Sequence, residues 1–311
     1  MEKNKFAKIT KITLLALIFA LAVIYICQLV FTGRSKIKTL LVNEKIDLIQ
    51  IDGLELREEN GKWLVGEKKY PASSSKVNSL ISQIKEIKLL GTASSSLKNA
   101  ERYGLSDEEK IEVKAFSSGK AVRSFCVGKN TSTNSQCYLS VEGKNSVYLA
   151  QGALHTSFAL STEDLREKQI FNLDSNSVVE LELKSGKLDF VLQKNIAQLG
   201  EEAPSKKWNL VKSENTDFAQ GDSLDDKKVD DWVKNISSLS ASEWLSDDFV
   251  FSKAPDVELR LNCGGKNYTV NLFYDSENET EIYASSSETQ YAFKLQNYVA
   301  NRINKKLSDL K

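Results

Sequence analysis

The chain has 311 residues, with 42 basic and 42 acidic side chains, one histidine and a 41% hydrophobic share. Balanced charge with no Lys/Arg cluster argues against a nucleic-acid binder. One histidine leaves little material for a histidine-based acid–base or zinc centre, and the hydrophobic share is that of a folded chain.

In chain order, residues 1–11 hold Lys3, Lys5, Lys8 and Lys11 and read as a cytoplasmic basic tail. Ile12 to Phe31 is an uninterrupted apolar run in which only Thr13, Tyr25 and Gln28 are polar. Twenty residues of helix at a 1.5 Å rise span about 30 Å, a bilayer's hydrocarbon core, so residues 12–31 are expected to be a transmembrane anchor. The run is too long for a signal-peptide core and no small-residue cleavage pattern follows it. Cys27 lacks the small preceding residue that a lipidation site wants, since Ile26 stands there. Arg34, Lys36, Lys38 and Lys45 follow closely, so lysines on both sides give only a slight lean to an inside N-terminus.

The remainder reads as two repeated units, 32–172 and 173–311. In the first, Ile46 to Ile51 and Leu54 to Leu56 alternate around Asp52-Gly53, a two-residue hairpin signal. A Trp strand follows, Lys62 to Val65. Val77, Leu80, Ile81, Ile84 and Ile87 then make a helical stripe behind Ser73 to Ser75. Strands are expected at Ile111 to Ala115, Val122 to Val127, Cys137 to Val141 and Val147 to Ala150, and a helix at Thr162 to Ile170.

The second unit repeats this roughly 150 residues later. Val179 to Leu183, Leu188 to Leu192 and the Trp strand Lys207 to Val211 precede a stripe of Val229, Trp232, Val233, Ile236 and Leu239. Strands at Val257 to Leu261, Tyr268 to Phe273, Glu281 to Ala284 and Tyr291 to Lys294 precede a helix at Gln296 to Leu310. The expected class is therefore α+β: a transmembrane helix, then two units, each an antiparallel meander with a packed helix. Alternation leaves each sheet one wet face, where a partner could dock.

Catalytic patterns are thin. His155 has no nucleophile elbow to serve. Ser73-x-x-Lys76, Ser132-Thr133-Asn134 and Lys184-Ser185-Gly186 follow the order of a penicillin-binding enzyme's motifs. Yet Ser82-x-x-Lys85, Ser95-x-x-Lys98 and Ser117-x-x-Lys120 match the first motif equally well, so composition explains it. Of the acid pairs Glu108-Glu109, Asp225-Asp226, Asp230-Asp231 and Asp247-Asp248, Asp225 and Asp226 sit in a first helical turn, where acids favour the helix dipole, and the others read as solvated or capping. Asp275 to Glu281 lacks the central Gly of a calcium loop. No catalytic residue, metal site or cofactor is expected. Cys126 and Cys137 lie on consecutive strands, and pairing about the loop between them would set them face to face as a disulfide candidate; two buried thiols are the alternative.

The Trp strand, the capped helix, Tyr103-Gly104-Leu105 and the meander ending in Leu165 to Phe171 resemble the bacterial domain of unknown function numbered 4340. The second half has no Tyr-Gly-Leu, only Phe249-Val250-Phe251 and Ala254-Pro255. The resemblance implies a single-pass protein of the bacterial inner membrane with its bulk on the extracytoplasmic side. It also implies a kinship with auxiliary parts of gliding-motility-type ABC transport systems, and it carries no catalytic residues. The function expected is a non-enzymatic, membrane-anchored interaction module whose partners are the membrane and ABC transporter components, not nucleic acid. The alternatives are a ligand-binding ectodomain using a cleft between the two repeats, lined by Trp63, Trp208, Tyr138 and Tyr283, and an envelope hydrolase.

Overall fold

Period-two alternation becomes antiparallel sheet in both halves of the chain. The computed structural model describes residues 13–14, 16–26, 37–186, 188–195, 207–214, 218, 222–275 and 281–311. The chain divides into two units, Met1–Glu167 and Lys168–Lys311.

In the first unit the strands are β1 (Lys38–Leu41), β2 (Leu48–Ile51), β3 (Leu54–Glu59), β4 (Lys62–Val65), β5 (Tyr70–Pro71), β6 (Glu86–Ser94), β7 (Ile111–Ser117), β8 (Lys120–Asn130), β9 (Gln136–Val141) and β10 (Val147–Gln151). They form one antiparallel sheet in the order β1-β6-β10-β9-β8-β7-β2-β3-β4-β5. Asp52 and Gly53 both take positive φ, 48° and 81°, the turn that matches the twist of a two-residue hairpin. The helix Ser74–Lys85 buries Val77, Leu80 and Ile84. The short helix Leu154–Phe158 packs on β8, with the rings of Phe125 and Phe158 5.7 Å apart.

In the second unit the strands are β11 (Gln169–Asn172), β12 (Val178–Ser185), β13 (Leu188–Lys194), β14 (Trp208–Glu214), β15 (Ser238–Ser240), β16 (Glu243–Trp244), β17 (Val257–Cys263), β18 (Lys266–Tyr274), β19 (Ile282–Ser286) and β20 (Thr289–Leu295). The main sheet runs β14-β13-β12-β17-β18-β19-β20-β16, and β11 pairs only with β15. Its core holds Trp208, Phe190, Leu181, Leu259 and Leu272 from the sheet. Val229, Trp232, Val233 and Ile236 enter it from the helix Asp226–Ile236.

The repeat is therefore one topology used twice. The series β10-β9-β8-β7-β2-β3-β4 is reproduced as β20-β19-β18-β17-β12-β13-β14. The likeness extends to the strand after each helix. In β6, Glu86 to Leu89 pair with β1 while Leu89 to Ser94 pair with β10. In the second unit that strand is broken: β15 pairs with β11, and β16 pairs with β20.

Three expectations are corrected. The class is mostly β rather than α+β: among the described residues from Lys38 on, twenty strands stand against α-helices of at most 12 residues. The alternating pattern outweighs the helical one: Ile87 and Leu239, counted in the helical stripes, lie in β6 and β15, where buried and exposed residues alternate. Thr162 to Ile170 is not one helix. A capping box on Ser161 and Asp164 starts the four-residue helix Thr162–Leu165, and extended Arg166 ends it before β11. Finally, residues 13–14 and 16–26 of the apolar run are helical with exposed side chains, but among the described residues no helix is long and apolar enough to cross a membrane. The transmembrane span is accordingly not found; residues 12, 15 and 27–31 of that run, and the tail 1–11, lie outside the described residues.

Candidate functional site

Each sheet turns one face to its helices and the other outward. Register fixes what stands at one equivalent place on the two outward faces. Val127 of β8 faces Ile111, and Leu272 of β18 faces Val257, so the next residues, Gly128 and Phe273, correspond. Val127 also faces Leu139 and Leu272 faces Ala284, so Tyr138 and Tyr283 correspond as well.

In both units the segment before β7 or β17 folds over this place as a strap. In the first unit Tyr103 ends a short 3₁₀ turn and sets its ring 4.8 Å from Tyr138, edge-on. Gly104 follows at φ 66°, where a Cβ would lie 2.7 Å from the backbone nitrogen of Lys129. A Cβ on Gly128 would lie 2.2 Å from the Tyr103 carbonyl oxygen, so only glycine fits there. In the second unit Phe249 stacks on Tyr283 at 5.7 Å, and Phe251 stacks on Phe273 at 3.7 Å. Aromatic stacking thus replaces the close backbone approach that two glycines permit. The spacing of the Tyr-Gly-Leu pattern does not reveal this counterpart; the Phe-x-Phe pair is its sequence signal.

The two straps differ at the surface. Leu105 is buried, and the exposed residues beside it are charged: Glu101, Arg102, Asp107 and Glu108. In the second strap Val250 is 81% exposed and Phe249 37%, beside exposed Asp247 and Asp248. Ion pairs hold the ground around it. Lys253 donates to the Tyr274 carbonyl (2.7 Å) and pairs with Asp256 (2.8 Å). Tyr283 donates to Glu281, which Lys294 approaches at 3.2 Å. These hydrogen bonds, Tyr283's first, hold the Glu281 carboxyl below its ordinary value. The rest of the outward face is a compensated lattice, in which Arg260 bridges Glu182 and Glu258 (3.3 Å each) and Lys184 meets Glu182 at 3.1 Å.

The other candidate residues fall elsewhere. Register sets Cys126 opposite Ser140 and Cys137 opposite Asn130, and both thiols are free, so the strands do not bring the pair together. The hairpin turns about residues 133 and 134, where the Thr131 N–H bonds to the Gln136 carbonyl, rather than midway between the two cysteines, and this is the physical reason. Burial pushes the Cys137 thiol up to about 11, against a smaller pull from the Leu154 and His155 backbone N–H groups. Lys76 is tied to the Asp164 carbonyl and Ser73 Oγ lies 3.1 Å from Ser75 Oγ. Lys184 belongs to the charged lattice. His155 sits at the start of the helix Leu154–Phe158. Asp225 caps its helix by accepting from the Lys227 and Lys228 backbone N–H groups (2.9 and 3.3 Å). Asp226 accepts from the Lys207 and Trp208 backbones (2.8 and 2.9 Å). Asp230 accepts from Lys207 Nζ (2.6 Å) and Trp208 Nε1 (2.9 Å). Trp208 is a core residue, 1% exposed, and Trp63 is half-buried on β4. Residues 276–280 of the acidic segment lie outside the described residues. Among the described residues no group of three His, Cys, Asp or Glu could hold a metal ion.

Comparison with curated proteins and with solved structures finds no match. A family model matches residues 63–259, from the Trp strand β4 through the Tyr-Gly-Leu strap to β17, and so crosses from the first unit into the second. The chain belongs to the family described as a domain of unknown function, DUF4340.

Proposed function

We propose that the chain is a non-enzymatic interaction module that works outside the cytoplasm as an accessory of an ABC-type transport or envelope complex. One observation carries the reading: the second strap holds an apolar tip, Val250 with Phe249, out to solvent on a base fixed by two aromatic stacks. An exposed aliphatic side chain on a well-anchored loop costs less to order on binding than one on a loose loop, and it gains from being covered. The first strap, built on the same topology, buries its apolar residue instead. Asp247 and Asp248 beside the tip favour a partner surface that is apolar with a basic rim. The ABC association and the extracytoplasmic location come from the family resemblance.

Co-purification in mild detergent tests this. Wild-type chain is expected to retain a transporter permease subunit, and Val250→Asp to lose it while keeping its melting temperature. Recovery of wild-type chain alone, or equal retention by Val250→Asp, overturns the reading.

A further inference from the structure

A second place where the two units diverge lies at the start of each fold. Ala115 and Leu261 are the corresponding residues of β7 and β17; their partners are Arg123 on β8 and Tyr268 on β18. Leu40 of β1 and Phe171 of β11 correspond likewise, through their partners Ile87 and Leu239. In the second unit the two residues close on each other. The rings of Phe171 and Tyr268 are 6.0 Å apart, Phe171 is buried, and Lys266 covers the Tyr268 ring at 4.6 Å. In the first unit the same place is a groove of about 550 Å³, walled by Leu40, Leu41, Val122, Arg123, Val141 and Glu142.

Two features of this groove specify an occupant. The first is backbone. Among the described residues β1 ends its sheet, and Val42 N–H bonds to the Lys85 carbonyl. In an antiparallel ladder bonded and non-bonded residues alternate, so Thr39 and Leu41 turn their N–H and C=O groups away from β6. That edge can take another extended strand. The second is charge. Arg123 is half-buried in the groove wall, and Glu44 is its charged neighbour, without a hydrogen bond between them. A guanidinium held in a partly desolvated wall selects a carboxylate, which it binds bidentately.

We propose that the first unit binds an extended peptide segment of a partner protein, added as a strand to the open edge of β1, with an Asp or Glu side chain of that segment on Arg123. Leu41, 64% exposed, is the apolar contact for a residue of the same segment that points to the opposite face from the acidic one. In the second unit Tyr268 and Phe171 occupy the equivalent space, so that unit carries no such site.

The test uses the full-length chain and a positional-scanning library of fluorescein-labelled hexapeptides, read by fluorescence polarisation. Wild-type chain is expected to select Asp or Glu at one position and β-branched residues at alternating positions. The best peptide is expected to bind Arg123→Gln at least tenfold more weakly. Arg123→Tyr, which copies the filled second unit, is expected to abolish binding with an unchanged or higher melting temperature. Thr39→Pro removes one outward N–H while leaving the ladder to β6, and is expected to weaken binding as well. The proposal is overturned if no peptide is selected, if Arg123→Gln and Arg123→Tyr bind like wild type, or if succinate alone binds as tightly as the best peptide.

Discussion

At the residue scale, Asp230 shows how the acids of the second unit are used. Burial works to raise its carboxyl, but hydrogen bonds from Lys207 and Trp208 outweigh burial and hold it below the ordinary carboxylate range. A depressed folded value means that the contribution to stability is present above the unfolded value, about 3.9, and is lost as pH falls through the folded one. Asp230→Asn is therefore expected to flatten the fall in stability on the acid side of about pH 4; urea midpoints measured against pH check this, and an unchanged acid slope contradicts it. Gly128 gives a steric case. With the Tyr103 carbonyl 2.2 Å from any added Cβ, Gly128→Ala forces the strap off β8. The expected cost is about 1–3 kcal/mol, read from denaturant unfolding. Cys137, fully buried with a raised thiol, is expected to resist alkylation until the chain unfolds. Rapid labelling of the native chain at Cys137 would show a different packing of β9.

At the scale of elements, the two long helices start differently although both follow the same Trp strand. Asp225 accepts two backbone N–H groups at its helix start, whereas Ser73 makes no side-chain cap. Asp225→Ala is expected to cost about 1 kcal/mol and Ser73→Ala close to nothing, by thermal or denaturant melts. Equal costs would mean that the first helix is capped in solution. What was legible in the sequence here was the periodic part. The hairpin at Asp52-Gly53, the Trp strands and the stripes through Val77 and Val229 all form elements. Of the short strands, β2 and β4 were legible through the Asp52-Gly53 turn and the Trp-bearing run, whereas β1, β5, β11, β15 and β16, of two to four residues each, carry no such local signal. Partners distant in sequence decide such strands, and so few residues cannot display a period. Ile87 and Leu239 read as helical because their spacing from the stripe fits a helix, although Ile87 lies in the nine-residue β6.

At the scale of the whole molecule, duplication explains both what is constant and where to look for function. One strand order serves twice, with buried aliphatic residues at matching registers. Selection for folding alone would leave the two copies alike, so the places where they differ carry the information. Besides the helix caps and the strand broken into β15 and β16, two such places lie at the surface: the strap, sealed by glycine in one unit and apolar-tipped in the other, and the groove, open at Arg123 and filled at Tyr268. Neither was legible from one unit's residues, since each becomes visible only when registers are superposed. The central claim is that the second strap is a docking surface and the first is not. Site-specific photo-crosslinking in living cells tests it most directly, with the reactive group placed once at position 250 and once at position 102. A crosslink to a transporter permease subunit is expected from position 250 and none from position 102; no crosslink from 250, or equal capture from both, would contradict a docking role for the second strap.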